Sequence, residues 1–106
     1  MKILLDECLP LDFRHSFPGH EAPTAEWAGF KGEKNGDLLR SAELCGYDVL
    51  VTADQGLPFQ TRSPARKLSI LLIRSRTNQI EDLLPLVGGI LEALQTLCPG
   101  QIVAVP

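Results

Sequence analysis

The chain has 106 residues, of which 44% are hydrophobic and 22% are charged, and its formal net charge at pH 7 is −3. This length suits one domain with a single core, and the composition is typical of a soluble globular protein. The mild negative charge argues against a protein that coats nucleic acid, and no apolar run reaches the roughly 18 residues of a membrane span. We therefore expect residues 1–106 to form one domain that does not enter a membrane.

Cysteine usage and the amino terminus both indicate a cytoplasmic location. The three cysteines, Cys8, Cys45 and Cys98, are odd in number and widely spaced. They are predicted to be free thiols in a reducing compartment. An apolar segment begins directly at Met1, so no signal peptide is expected.

The first seven residues predict a buried strand that ends at two carboxylates. A short apolar run is followed directly by Asp6 and Glu7. Such a run, bounded by polar residues, is typical of a strand that is buried on both faces of a parallel sheet. The carboxyl ends of the strands in open α/β sheets face the crevice where ligands bind.

A second stretch repeats this arrangement, because the apolar residues 49–51 lead through Thr52 and Ala53 to Asp54. If the two strands are neighbours, Asp6 and Asp54 lie close together. Like charges held close together require a cation or a proton.

The remaining elements alternate between strands and helices. A helix is predicted to begin at Pro10, where the missing N–H costs nothing, with Leu9, Phe13 and Phe17 as its apolar stripe. Residues 20–25 predict a weak strand, which Pro23 would confine to an edge of the sheet.

A second helix is predicted from Asn35, which can cap its first turn, to Gly46, which ends it. Residues 68–73 predict a further buried strand, after a loop over residues 55–67.

The last helix and strand complete the pattern. Asn78 and Glu81 have the spacing of a capping-box variant, and Pro85 predicts a kink or a restart of the helix. Residues 101–105 predict the final strand. The fold class is therefore α/β, with three α/β/α layers and a mainly parallel sheet of about five strands in the order 2-1-3-4-5.

The acids at the strand ends indicate a site for a hard divalent cation. Mg²⁺ usually takes one or two carboxylates and keeps several waters. Asp6 and Asp54 would supply these ligands, Asp37 could approach from the first turn of its helix, and Glu7 could be a further ligand or a base. Each acid also has a local interpretation: Asp54 suits a turn, and Asp37 suits a helix amino terminus. Thr52 by itself reads as an ordinary strand residue.

Basic residues follow the second acidic strand. Residues 55–80 contain no acid and five basic side chains, namely Arg62, Arg66, Lys67, Arg74 and Arg76. They could hold a nucleic-acid backbone by charge, or they could belong to an ordinary solvated loop. Trp27 and Phe30 are expected to pack in the core or at its rim rather than to stack on bases.

Two blocks of the sequence resemble the PIN-like proteins of prokaryotes, a group related to VapC-type toxin nucleases. The first block is residues 3–10, Ile-Leu-Leu-Asp-Glu-Cys-Leu-Pro, which is similar to the family opening ILLDENLP. The second block comprises residues 35–39, Asn-Gly-Asp-Leu-Leu, and residues 49–54, Val-Leu-Val-Thr-Ala-Asp. The resemblance covers the whole chain and implies a PIN-type sheet, an acidic cluster for Mg²⁺ or Mn²⁺, and ribonuclease activity.

The resemblance also assigns residues. Asp6 and Asp54 match the metal-binding acids of the family, with Thr52 as a supporting residue. Asn35 falls where many relatives have an aspartate, and Asp37 is the nearest carboxylate. Two departures are Gly56, at the position of a second aspartate after the strand, and Cys8, which replaces a common asparagine. Fewer carboxylates imply weaker metal binding.

Three functional interpretations follow. The first is a metal-dependent ribonuclease, often the toxin of a pair whose partner is a small DNA-binding antitoxin. The second is a degenerate, non-catalytic PIN-like module that binds RNA or a protein. The third is a phospho-accepting receiver domain, for which Ser75 could serve but no lysine follows the last strand. Pairing of two copies through the sheet edge or through helices is compatible with a chain of this size.

Overall fold

The computed structural model describes residues 1–33, 35–55 and 67–105. Its centre is a four-stranded sheet in which every neighbouring pair is parallel. The strands are β1 (Ile3–Leu5), β2 (Val49–Thr52), β3 (Ser69–Ile73) and β4 (Ile102–Val105), and they lie in the order β1-β2-β3-β4. The α/β class and the mainly parallel sheet are therefore confirmed.

The weak second strand of the sequence prediction is not a strand in this structure. Residues 21–24 run beside the free edge of β1 but form only two isolated bridges, Lys2 with Glu21 and Leu5 with Thr24. Pro23 has no N–H to donate, which is one reason why the pairing does not extend. Within the described ranges the sheet thus has four strands rather than about five.

Within residues 1–33, 35–55 and 67–105, three α-helices and two 3₁₀ helices connect the strands. They are the 3₁₀ helix Leu11–Ser16, α1 (Asn35–Leu44), α2 (Ile80–Leu83), the 3₁₀ helix Leu84–Leu86 and α3 (Val87–Gln95). The interruption at Pro85 confirms the predicted restart, because proline removes a hydrogen bond of the helix. No helix in the described part of the chain is long and apolar enough to cross a bilayer.

The first predicted helix is tighter than its apolar spacing indicates. Leu9, Phe13 and Phe17 are buried as expected, but the segment between Pro10 and Pro18 is a single 3₁₀ helix of six residues. Short connecting segments commonly adopt this i→i+3 geometry. The apolar spacing therefore predicted burial correctly and helix type incorrectly.

The capping box predicted for the last helix does not form. The residue that precedes α2 is Gln79, and it makes no capping hydrogen bond through its side chain. Asn78 instead donates from Nδ2 to the carbonyl oxygen of Cys8 at 2.6 Å. This contact ties the start of α2 to the loop that follows β1.

Hydrophobic clusters cover both faces of the sheet. One cluster contains Ile3 and Leu5 of β1 together with residues of the first 3₁₀ helix, α2 and α3. The other contains Leu4 of β1 together with Phe30 and residues of α1. Successive residues of a strand point to opposite faces, so the arrangement is compatible with three α/β/α layers.

Of the two aromatic residues in the turn before α1, one is buried and the other is exposed. Phe30 is buried in the cluster that contains α1, as expected, and contacts Tyr47 edge-to-face with ring centroids 6.3 Å apart. Trp27 is 78% exposed. The expectation that Trp27 packs in the core or at its rim is therefore wrong.

Candidate functional site

The site lies where β1 and β2 end. The two strands are parallel neighbours, with Leu5 opposite Val51, and the amide of Asp6 donates to the carbonyl of Val51 at 3.0 Å. Asp6 follows β1 directly, and Asp54 follows β2 by two residues. Both acids therefore belong to the carboxyl edge of the sheet.

The hydroxyl of Thr52 joins the two strand ends. Thr52 Oγ1 donates to Asp6 Oδ2 at 2.6 Å and accepts the amide N–H of Asp54 at 3.0 Å. Its side chain is fully buried. Thr52 thus orients the carboxylate of Asp6 and ties the backbone of Asp54 to it, a role that its position in a strand does not reveal.

Cys8 is a member of the site that sequence reasoning missed. Its Sγ donates to Asp6 Oδ2 at 3.6 Å and lies 3.8 Å from Thr52 Oγ1. Burial raises the pKa of the Cys8 thiol, and the negative charge of Asp6 raises this pKa further. The only sequence signal was the departure of Cys8 from the asparagine of the ILLDENLP motif that residues 3–10 resemble.

Glu7 connects the loop after β1 to the turn before α1. Its Oε1 accepts the amide N–H of Gly32 at 3.0 Å, and its own amide donates to Asp6 Oδ1 at 2.8 Å. The Glu7 carboxylate therefore has a structural contact, and its part as a ligand or base stays a prediction.

Asp37 is exposed in the first turn of α1. Only four residues separate the end of α1 from β2, so the carboxyl end of α1 lies near the start of β2. The ten residues of this helix span about 15 Å, which carries Asp37 toward the carboxyl edge. The side chain of Asn35, the other predicted residue of this turn, lies outside the description.

In the described part of the chain the acids do not form a three-ligand cluster. Across residues 1–33, 35–55 and 67–105, no three side chains among His, Cys, Asp and Glu are grouped so that they could hold a metal ion. A cation site at this edge would therefore use one or two carboxylates. Gly56, which the sequence resemblance sets at the position of a further acid, lies outside the described residues.

The predicted basic cluster is divided. Arg74 and Arg76 are exposed and follow β3, so they share the carboxyl edge with Asp6. Lys67 precedes β3 at the opposite edge, where its amide donates to Glu43 Oε1 at 2.8 Å. The two remaining residues, Arg62 and Arg66, lie outside the described ranges.

Replacing Thr52 by valine should destabilise the fold by about 1–3 kcal/mol. Valine fills the same space but leaves an Asp6 oxygen and the Asp54 amide without the hydroxyl, and a buried polar group that loses its partner costs this much. Urea unfolding would measure the change. The Thr52→Ser variant is the control because it keeps the hydroxyl, and a valine variant as stable as the unaltered chain would contradict the role of this contact.

Iodoacetamide at pH 8 should modify Cys8 more slowly than Cys45 and Cys98. The other two thiols are exposed, and all three cysteines, which lie in described parts of the chain, are free. A raised pKa leaves Cys8 with less thiolate at a given pH. Mass spectrometry of the alkylated peptides gives the three rates, and equal rates would refute the burial of Cys8.

The same shift has a consequence for stability. Because the folded pKa of Cys8 lies above its ordinary value of 9.0, the unfolded chain releases this proton first as pH rises. The contribution of Cys8 to stability is therefore complete below that ordinary value and decreases above it.

Comparison of the chain with models of protein families, with curated proteins and with solved structures finds no match.

Proposed function

We propose that the chain is a PIN-like ribonuclease that depends on Mg²⁺ or Mn²⁺ and hydrolyses RNA phosphodiester bonds at the carboxyl edge of the sheet. The observation that carries the proposal is the hydroxyl of Thr52, which contacts the Asp6 carboxylate and the Asp54 amide together. This contact joins the ends of two adjacent parallel strands, the position at which open α/β sheets bind ligands.

The residues present fit a hard divalent cation. Asp6 and Asp54 would hold it, and both offer the oxygen ligands that such ions prefer. Asp6 Oδ1 accepts the Glu7 amide, and a carboxylate oxygen has lone pairs for about two partners, so it keeps capacity for a cation. A full set of three carboxylates is not required, since Mg²⁺ commonly keeps several waters.

When bound, such an ion offsets the charge of the phosphate and lowers the pKa of a bound water. The residues of the chain supply orientation and attraction. Thr52 and the Glu7 amide fix the Asp6 carboxylate, one on each oxygen. Arg74 and Arg76, exposed at the same edge, attract the RNA backbone by charge.

Cleavage of a labelled single-stranded RNA in Mn²⁺, compared with EDTA, tests the proposal. We expect cleavage in Mn²⁺ and none in EDTA. In the Asp54→Asn variant the cleavage rate in Mn²⁺ should fall about tenfold or more, because a metal-site charge is lost. Asp12→Asn is the matched control, since Asp12 is an exposed acid of the first 3₁₀ helix.

Equal cleavage by the unaltered chain and by Asp54→Asn would indicate a contaminating nuclease. A loss of cleavage in Asp12→Asn as large as that in Asp54→Asn would show that the effect is one of overall charge. Either result would overturn the assignment of the site.

A second candidate function is a non-catalytic PIN-like module that binds RNA or a protein. The observation that favours it is the lack of a three-ligand acid group within the described ranges. Persistent RNA binding without metal-dependent cleavage would select this function. A toxin role opposite a small DNA-binding antitoxin is a part of the first proposal that follows from the sequence resemblance, and pairing of two copies is a further part that is compatible with the size of the chain.

A further inference from the structure

A groove with a volume of about 760 Å³ lies along the free edge of β1, and Asp6 is not among the residues that line it. Its floor is the extended segment 21–24, which pairs with β1 through the two isolated bridges. A cavity of this size is in the range of small-ligand sites. We propose that this groove binds a nucleotide of single-stranded RNA, with its base stacked on Trp27 and its phosphate held by Arg14 and His15.

Trp27 has the properties of a stacking platform. Its side chain is 78% exposed, while its backbone amide is fixed by Thr24 Oγ1 at 3.2 Å. An exposed aromatic ring on an anchored backbone offers a face to any base, and such stacking is tolerant of sequence. Leu11 is also 59% exposed and lines the same groove, so the groove offers two exposed apolar side chains.

The charge of the groove is opposite to that of the whole chain. Lys2 and Arg14 line it, together with the imidazole of His15, against one acid, Glu21, whereas the net charge of the chain is −3. Neither Lys2 nor Arg14 forms an ion pair with a carboxylate within the described residues. Their positive charges therefore remain available to a phosphate.

Contacts of Lys2 hold the amino-terminal end of the groove in place. The ammonium group donates to the carbonyl of Cys45 at 2.7 Å and lies 4.4 Å from the ring centroid of Tyr47. Both Lys2 and Tyr47 line the groove. The charge of Lys2 is thus fixed in position at this end, while Arg14 and His15 are on the exposed side of the first 3₁₀ helix.

The groove leads toward the acidic edge. Thr24 bridges to Leu5, and the next residue of that strand end is Asp6. The three residue steps from Glu21 to Thr24 span about 10 Å of extended chain. An RNA strand held along the groove would therefore direct its next phosphate to the carboxyl edge. The choice of RNA as the ligand rests on the proposed function.

Trp27 is the single tryptophan of the chain, so its fluorescence reports directly on stacking. We expect saturable quenching when a single-stranded hexaribonucleotide is added at low salt in EDTA, where no metal-dependent cleavage occurs. The Arg14→Gln variant should bind several-fold more weakly and show a smaller salt dependence, because one phosphate contact is lost. Arg40→Gln is the matched control, since Arg40 is exposed on α1 and does not line the groove.

A second readout uses the anisotropy of a labelled oligonucleotide. Trp27→Leu should weaken binding about tenfold or more, whereas Trp27→Phe should retain most of it, because phenylalanine keeps an aromatic face. Circular dichroism confirms that each variant is folded.

The outcomes separate this inference from the nuclease proposal. Quenching without any Mn²⁺-dependent cleavage would support the groove and overturn the nuclease. Cleavage without quenching, or equal binding by Arg14→Gln and Arg40→Gln, would overturn the groove and leave the nuclease standing. Quenching by poly-glutamate as strong as that by RNA would also overturn it and assign the groove to an acidic polypeptide.

Discussion

The Asp6→Asn variant is expected to cleave single-stranded RNA about 100-fold more slowly than the unaltered chain in Mn²⁺. Asparagine has one oxygen, which can accept from the Glu7 amide, while its Nδ2 takes the place of Oδ2 and can donate to Thr52 Oγ1, so the local contacts survive with the direction of the Thr52 bond reversed. What is lost is the negative charge, and several kcal/mol of electrostatic stabilisation correspond to this change in rate. Single-turnover cleavage of a labelled RNA measures the effect.

Thermal unfolding gives a readout of Asp6 that is independent of cleavage. A ligand that binds only the folded chain raises its melting temperature. We expect Mn²⁺ to raise the melting temperature of the unaltered chain and of Asp12→Asn, but to raise that of Asp6→Asn much less. An equal shift in all three proteins would place the ion elsewhere and would contradict the part assigned to Asp6.

The Phe13→Ala variant is expected to lose about 3–5 kcal/mol of the free energy of unfolding. The ring is fully buried in the hydrophobic cluster that packs the first 3₁₀ helix, α2 and α3 against one face of the sheet. It contacts Phe17 edge-to-face with ring centroids 5.3 Å apart. Truncating a buried phenylalanine removes its transfer free energy and leaves a cavity, which together cost this amount. Urea denaturation followed by far-UV circular dichroism measures the difference.

Leu11→Ala is the control for Phe13→Ala within the same 3₁₀ helix. Leu11 is 59% exposed, and a substitution at such a position usually changes stability by no more than about 0.5 kcal/mol. If both variants lost the same free energy, the 3₁₀ helix would be stabilised by its backbone rather than by the burial of one face. If neither lost any, the segment would not belong to the core.

Prediction from sequence succeeded where burial follows a local repeat. The apolar runs that end near Asp6 and Asp54 are strands, and Pro85 interrupts the last helix. Each feature depends on neighbours along the chain, such as the absence of an N–H in proline. The adjacency of β1 and β2 agrees with the predicted strand order 2-1-3-4-5, in which the two strands that lead to Asp6 and Asp54 are neighbours.

Prediction failed where a side chain found a distant partner or none. Asn78 was expected to cap a helix, but it donates to Cys8, which lies 70 positions away in the chain. Trp27 was expected to pack against the protein, but the turn that holds its backbone leaves the ring in solvent. The hydrophobicity of a residue indicates how favourable its burial would be. It does not indicate whether the core has space for the side chain.

The order of residues was enough to define the apolar strands, the acids that follow them and the α/β class, because these depend on short-range periodicity of burial. The contacts that form the candidate site needed the folded chain. Thr52 lies 46 positions from Asp6 in the chain, and its hydroxyl reaches the Asp6 carboxylate only when β1 and β2 pair in parallel register. Which residues become partners across such a separation in the chain depends on the packing of the whole sheet, because each hydrogen bond depends on the burial of many other residues.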